Sequence, residues 1–292
     1  MTDALQQAGL AGDVLSPPPR GVLRRYPMVA LGAVLFALVV LITLAAPWLA
    51  SHDPQEIDPI ARLRPPSAEH LLGTDALGRD VWSRTIYGGR ISLMVGVVVG
   101  LLASALGLAI GLVSGYSRLA DAVVMRVMDG LMSIPAILLA IALMSVTRAS
   151  ILTVIIAITV VEIPRVVRLV RSVVLTLREQ TYVEAAVIAG TRPGRIIAKH
   201  ILPNTVAPLI VQTTYICAAA MLVESILSFL GAGTPPEVPS WGNIMAEGRT
   251  FFQIAPWLIL SPGLLLGLTV LSINLVGDGL RGMLDPRIAR RM

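Results

Sequence analysis

The chain has 292 residues, 55% of them hydrophobic and 14% charged, with a mean hydropathy of +0.79, values that exclude an ordinary soluble globular domain. Its net charge is +5, from 23 basic against 18 acidic residues. These charges sit in short blocks between long apolar runs, the pattern of a polytopic membrane protein. No basic patch is interleaved with aromatics, so nucleic acid is not expected as a partner. The single cysteine, Cys217, allows neither an intrachain disulfide nor a thiolate metal site.

In chain order, residues 1–27 read as an N-terminal tail, with Pro17-Pro18-Pro19 inside it. The apolar run from Met28 is longer than the roughly 7–15 residues of a signal-peptide core and is expected to stay as a first transmembrane helix over 28–50. A polar extracytoplasmic loop over 51–89 follows, with 79–88, carrying Trp82 and Tyr87, as a short interfacial helix. The second span is expected over 92–115. Gly96, Gly100, Ser104, Gly107, Gly111 and Gly115 line its faces, as in closely packed membrane helices. Further spans are expected over 122–147, from Ile151 past Glu162 and Pro164, over 206–231 and over 256–277, about six in all, followed by a C-terminal tail over 279–292. The fold class is therefore an all-α membrane protein. Arginines such as Arg118, Arg165, Arg171, Arg178, Arg192 and Arg195 outnumber those of the alternate segments about two to one, so both termini are expected in the cytoplasm.

Three carboxylates fall in or near apolar spans, where an ionised group costs about 2.5–3.5 kcal/mol on insertion scales. Arg126 lies one helical turn before Asp129 and Arg165 one turn after Glu162, so both are expected as structural ion pairs. Glu224 has no such neighbour and is expected to face a pathway or a neighbouring subunit. Trp241 is expected either at a gate or a partner contact on the outer face, or as an interfacial anchor.

The stretch 173–205 is several times longer than the usual connection of about 2–8 residues between bundled helices. It reads as helix, turn, helix: Gly190 stops the first, Pro193-Gly194 turns the chain, Arg195 to Leu202 resume a helix and Pro203 ends it. Ala185, Ala186 and Gly190 are small enough to seat in a groove on another protein. The competing reading is a stabilising amphipathic surface helix.

Here the sequence resembles a known family. Glu184-Ala185-Ala186, then Gly190, His200 and Leu202-Pro203, resemble the EAA motif of bacterial ABC importer permeases, with His200-Ile201-Leu202-Pro203-Asn204 similar to the peptide/nickel branch. His70-Leu71-Leu72-Gly73-Thr74-Asp75 through Asp80, Ser228-Phe229-Leu230-Gly231 with Pro239-Ser240-Trp241-Gly242, and Gly277-Asp278-Gly279 with Leu284-Asp285-Pro286-Arg287 resemble the C-type dipeptide/oligopeptide permease subunit. The resemblance implies a type I ABC importer (MetI-like) transmembrane domain over 90–278 in a bacterial inner membrane. It also implies a second homologous permease, two ABC ATPases docked on the EAA loop and an extracytoplasmic substrate-binding protein. ATP and Mg would be bound by those ATPases, and no cofactor or metal is expected in this chain. Independently, Lys199 is the only lysine and precedes His200, so no Walker A Gly-Lys-Ser/Thr exists.

The alternative is a proton-coupled secondary transporter using the buried carboxylates; it leaves the long loop unexplained. An intramembrane enzyme finds no support, because His52, His70 and His200 are scattered along the sequence and no His-Glu-x-x-His or Gly-x-Ser-x-Gly occurs.

Overall fold

The computed structural model describes residues 27–146 and 149–284; the N-terminal tail, Arg148 and the block from Asp285 onward lie outside the described residues. Among the described residues the fold is helical, and no strand forms beyond one isolated bridge between Thr74 and Asp80. Helix α1 (Pro27–Leu44) is followed by the single turn α2 (Ala46–Leu49). Helix α3 (Val81–Tyr116) has 36 residues, about 54 Å at 1.5 Å per residue, and overruns a hydrocarbon core of about 30 Å. The helix therefore begins at residue 81 rather than 92, and the short interfacial helix expected over 79–88 is its continuous first part rather than a separate element. Hydropathy missed the start because Arg84, Gly88, Gly89 and Arg90 are helical without being apolar.

The expected helix over 122–147 is two helices, α4 (Arg118–Met132) and α5 (Ala136–Ser145), bent by 91°. Pro135 is the cause: it disfavours helical backbone at Ile134 and lacks the N–H that would continue the ladder. Helix α6 (Ile151–Arg178) starts on a Ser150 capping box. Then come α7 (Thr181–Ile188), α8 (Pro193–Ile196), a π-turn over Ile197–Ile201, α9 (Leu202–Phe229), α10 (Trp241–Gly248) and α11 (Trp257–Leu284).

Four helical segments are long and apolar enough to cross a membrane: α1, α3, the continuous run 193–229, and α11; the bent pair α4 and α5 makes a fifth. Helix α6 has the length but carries Glu162, Arg165 and Arg168 in its apolar stretch. The expected six spans are reached only by counting it.

Helix α3 is the spine. Its small residues divide between two neighbours. A Cβ on Gly96 or Gly100 would stand 2.6 Å from Met221 or 2.4 Å from Cys217 Sγ, both on α9, and Ser104 hydrogen-bonds Thr213 on α9 at 2.7 Å. A Cβ on Gly107, Gly111 or Gly115 would stand 2.4, 2.7 or 2.6 Å from Val166, Val170 or Val174, all on α6. The stripe thus serves intrachain packing, in which absent side chains let three backbones converge.

Three helix C-termini are capped by arginines from elsewhere. Arg90 donates to Thr43 and Leu44 carbonyls of α1 at 2.8 and 2.7 Å. Arg178 donates to Gly115 and Tyr116 of α3 at 3.1 and 3.0 Å, and Arg249 to Phe229 of α9 at 3.3 Å. Each satisfies carbonyls that have no intrahelical partner and places a cation at the negative end of the helix dipole.

The expected ion pair Arg126–Asp129 is not formed. Asp129 instead accepts from Arg168 of α6 at 2.6 Å, and Asp121, about two turns back, is clamped by Arg171, whose Nη2 donates at 2.7 Å. Helical spacing permitted the local pair, but α6 offers a guanidinium across the interface. Glu162 and Arg165 do pair, at 3.1 Å.

Candidate functional site

The hairpin between α6 and α9 is built from a buried underside and a bare outer face. Val183, Ile196 and Ile201 are each at most 2% exposed and pack into the main core with Val174 and Leu177, while Ala186 is half-buried against them. On the other face Glu184 and Ala185 are exposed, as are Val187 at 55% and Ile188 at 87%. An eight-residue helix presenting two large apolar side chains outward is not a simple amphipathic cover.

Gly190 ends α7 in the left-handed region, with φ +75°. Thr191 N–H donates to Ala186 O at 3.0 Å and Gly190 N–H to Val187 O at 2.9 Å, the Schellman pair of bonds. A Cβ at Gly190 or Gly194 would meet nothing within 4 Å. Conformation alone, not crowding inside this chain, calls for the glycine at 190.

Pro203 does not end a helix. It lies in the first turn of α9, where its missing N–H is tolerated, and the π-turn just before it carries the helix through, with Leu202 N–H donating to Ile197 O. Leu202 is half-buried and opens α9; half-buried His200 lies beside Tyr182, ring centroids 6.1 Å apart. Residues 193–229 therefore form one helical run, so the hairpin is rigidly continuous with a spanning helix.

At the opposite end of the bundle, residues 51–80 fold into a cap over the start of α3. Asp75 accepts from Leu77 and Arg79 N–H groups at 2.8 and 2.9 Å, from Arg79 Nε at 2.6 Å and from Arg84 at 2.8 Å. Both arginines reach Glu247 on α10, at 2.6 and 3.0 Å. Burial pushes the Glu247 carboxyl up to about 7, against the pull of Arg79 and with the help of neighbouring Asp75. Glu247 was not legible in the sequence, since nothing local marks it as the partner of an arginine so far away.

Glu224 and Trp241 are both 0% exposed. Glu224 accepts from Ser228 at 2.9 Å, from Ser92 at 3.3 Å and from Ser225 at 3.4 Å, a serine cage between α3 and α9. Trp241 donates from Nε1 to Thr85 O at 2.9 Å and from its backbone N–H to Ser92 at 3.3 Å. Asn243 binds the loop above them, donating to Thr234, Pro235 and Val238 between 2.9 and 3.2 Å. Ser240-x-x-Asn243 is a helix-cap spacing that could have drawn attention to this residue. Glu224 thus has partners, neither residue faces open space, and Trp241 is a core side chain rather than an interfacial anchor. A cleft of about 470 Å³ lies elsewhere, lined by Leu169, Pro208, Gln212, Tyr215 and Arg281 among others.

Residues 84–290 match the family described as binding-protein-dependent transport system inner membrane component, and residues 21–66 match the N-terminal TM domain of oligopeptide transport permease C. The chain is similar to a probable peptide ABC transporter permease of Sinorhizobium fredii, 56% identical over 92% of each chain. It is also similar to a dipeptide transport system permease of Alkalihalophilus pseudofirmus, 42% identical over 91% of this chain and 88% of that one. A probable D,D-dipeptide transport system permease of Escherichia coli is 40% identical over 91% of this chain and 90% of its own length. In fold the chain is similar to the MetNI methionine ABC transporter in an inward-facing form, with TM-score 0.58 and 22% identity over 69% of this chain and 96% of that one.

Proposed function

We infer the task of this chain from its family, for it belongs to the inner membrane components of binding-protein-dependent transport systems. It is a permease subunit of an ATP-binding-cassette importer, not an enzyme. Its substrate is a di- or oligopeptide, a reading supported by the relatives named for peptides and dipeptides. It works beside a second, homologous permease, with the hairpin end and both termini in the cytoplasm and the 51–80 cap outside; the arginine bias supports that orientation.

Two ATPase subunits drive the pair, one docking on α7 of each permease, and a binding protein delivers substrate from outside. Glu184, Ala185, Gly190 and Ile188 are the contact face, and His200, Leu202 and Pro203 pass its motion into α9. The single observation that carries this reading is the bare outer face of α7 on a buried, continuous helical base. Closure of the ATPase pair would pull α7, and the 193–229 run would move as one lever.

The test is cross-linking in a background where Cys217 is replaced by Ser. Ala185→Cys and Ile188→Cys should each cross-link to the ATPase subunit, with a yield that changes on adding ATP. Glu184→Arg and Gly190→Val should cut ATP-driven uptake at least tenfold with the protein still in the membrane. Normal uptake in both, with no cross-link, would rule out α7 as the docking helix.

A further inference from the structure

Two histidines far apart in sequence are neighbours in space. The rings of His52 and His70 lie 4.8 Å apart between centroids and are tilted by 32°. One ligand atom each from His52, His70 and Asp80 fall within 4.8 Å of one another. His70 is 7% exposed and Asp80 2%. The group lies at the start of α3, in the cap outside the spanning helices.

Helix capping accounts for two of the three residues. Asp80 takes Ser83 N–H and Oγ–H at 2.8 and 2.7 Å, and its other oxygen stands 3.0 Å from His70 Nδ1. It leaves His52 unexplained. The His52 backbone N–H is held by Ser83 Oγ at 3.3 Å, which fixes the residue beside the cluster, yet its Nδ1 is buried with no hydrogen-bond partner. Buried polar nitrogens are nearly always paired, so an orphan beside a second imidazole and a carboxylate calls for an occupant.

We propose that His52, His70 and Asp80 form a binding site for a divalent first-row transition cation, with zinc as the reference ion. Two imidazoles and one carboxylate suit such an ion, whereas calcium and magnesium favour oxygen ligands. Bonds of about 2.0–2.1 Å hold neighbouring ligand atoms roughly 3–3.5 Å apart. His70 Nδ1 and Asp80 Oδ1 already have that spacing. The untethered His52 ring closes the remaining gap by rotation. Three protein ligands leave a position for water. The bound ion ties the segment after α2 and the 51–80 cap to the first turn of α3, bracing the outer end of the bundle.

The experiment uses the assembled transporter in lipid nanodiscs, purified through a tag without histidine and stripped with chelator. Zn²⁺ binding is measured by calorimetry, and Co²⁺ is titrated as a spectroscopic stand-in through its visible d–d absorption. The parent should bind one more ion per copy of this chain than His52→Ala/His70→Gln. His52→Ala alone should weaken that ion at least about tenfold and change the Co²⁺ spectrum. His52→Ala removes no hydrogen bond of the His52 side-chain nitrogen Nδ1, and glutamine at 70 can still donate to Asp80, so the cap is retained. Equal stoichiometry and spectra in parent and variants would overturn the proposal. So would displacement of the ion by equimolar Ca²⁺ or Mg²⁺.

Discussion

Arg84 bridges two carboxylates that the sequence sets far apart: its Nη1 donates to Asp75 at 2.8 Å and its Nη2 to Glu247 at 3.0 Å. Arg84 itself is 1% exposed. This contact pins the cap to α10, and through it the 51–80 segment to the 36-residue spine.

Glu247 gives that bridge a pH dependence. Its carboxyl titrates at about 7 in the fold and at about 4.3 in an unfolded chain. The folded state therefore holds more protons between those values, and stability falls as pH rises through that window. Thermal melts of the purified transporter should show Tm falling from pH 5 to pH 8. Glu247→Gln should flatten that slope, and an unchanged slope would refute the assignment.

Gly107 packs its Cα against Val166, and a Cβ there would lie 2.4 Å from the valine Cβ. Gly107→Leu should cost about 1–3 kcal/mol or more through overpacking and reduce the folded protein in membranes. Gly130→Leu is the control, because a Cβ at Gly130 meets nothing within 4 Å. Detergent-extracted yield and melting temperature distinguish the two, and equal effects would refute the packing role.

Glu224 accepts hydrogen bonds from three serines. Glu224→Gln keeps acceptor and shape and should preserve assembly and uptake. Glu224→Leu takes the carboxylate acceptor away from the buried hydroxyls of Ser92, Ser225 and Ser228 and should destabilise the protein by about 1–3 kcal/mol. Loss of uptake in Glu224→Gln with full stability would indicate a transport role instead.

Arg178 closes α3 and starts the turn into α7, donating to two carbonyls and stacking 5.4 Å from the Tyr116 ring centroid. Arg178→Ala should lower stability by about 1 kcal/mol and weaken coupling between hydrolysis and uptake. Arg178→Lys should recover part of both. Measured ratios of ATP hydrolysed to solute imported decide the second point, and an unchanged ratio in Arg178→Ala would remove this residue from the coupling route.

What the sequence determined by itself was local. Long apolar runs marked the spans and Gly190 marked the end of α7, but the stretch 122–147 read as one helix and its 91° break at Pro135 did not show. The Glu184–Gly190 stretch was readable because helix, stop and turn signals all lie within a few residues of one another. The tertiary structure alone decided who meets whom. Asp129 turned from Arg126 to Arg168, Glu224 found serines from two helices, and the glycine stripe split between α9 and α6. His52 and His70, scattered along the chain, came together over the start of α3. The reason is physical: helix formation is governed by neighbours within one or two turns, whereas an ion pair, a buried carboxylate or a ligand cluster is settled by which faces the helices bury against each other.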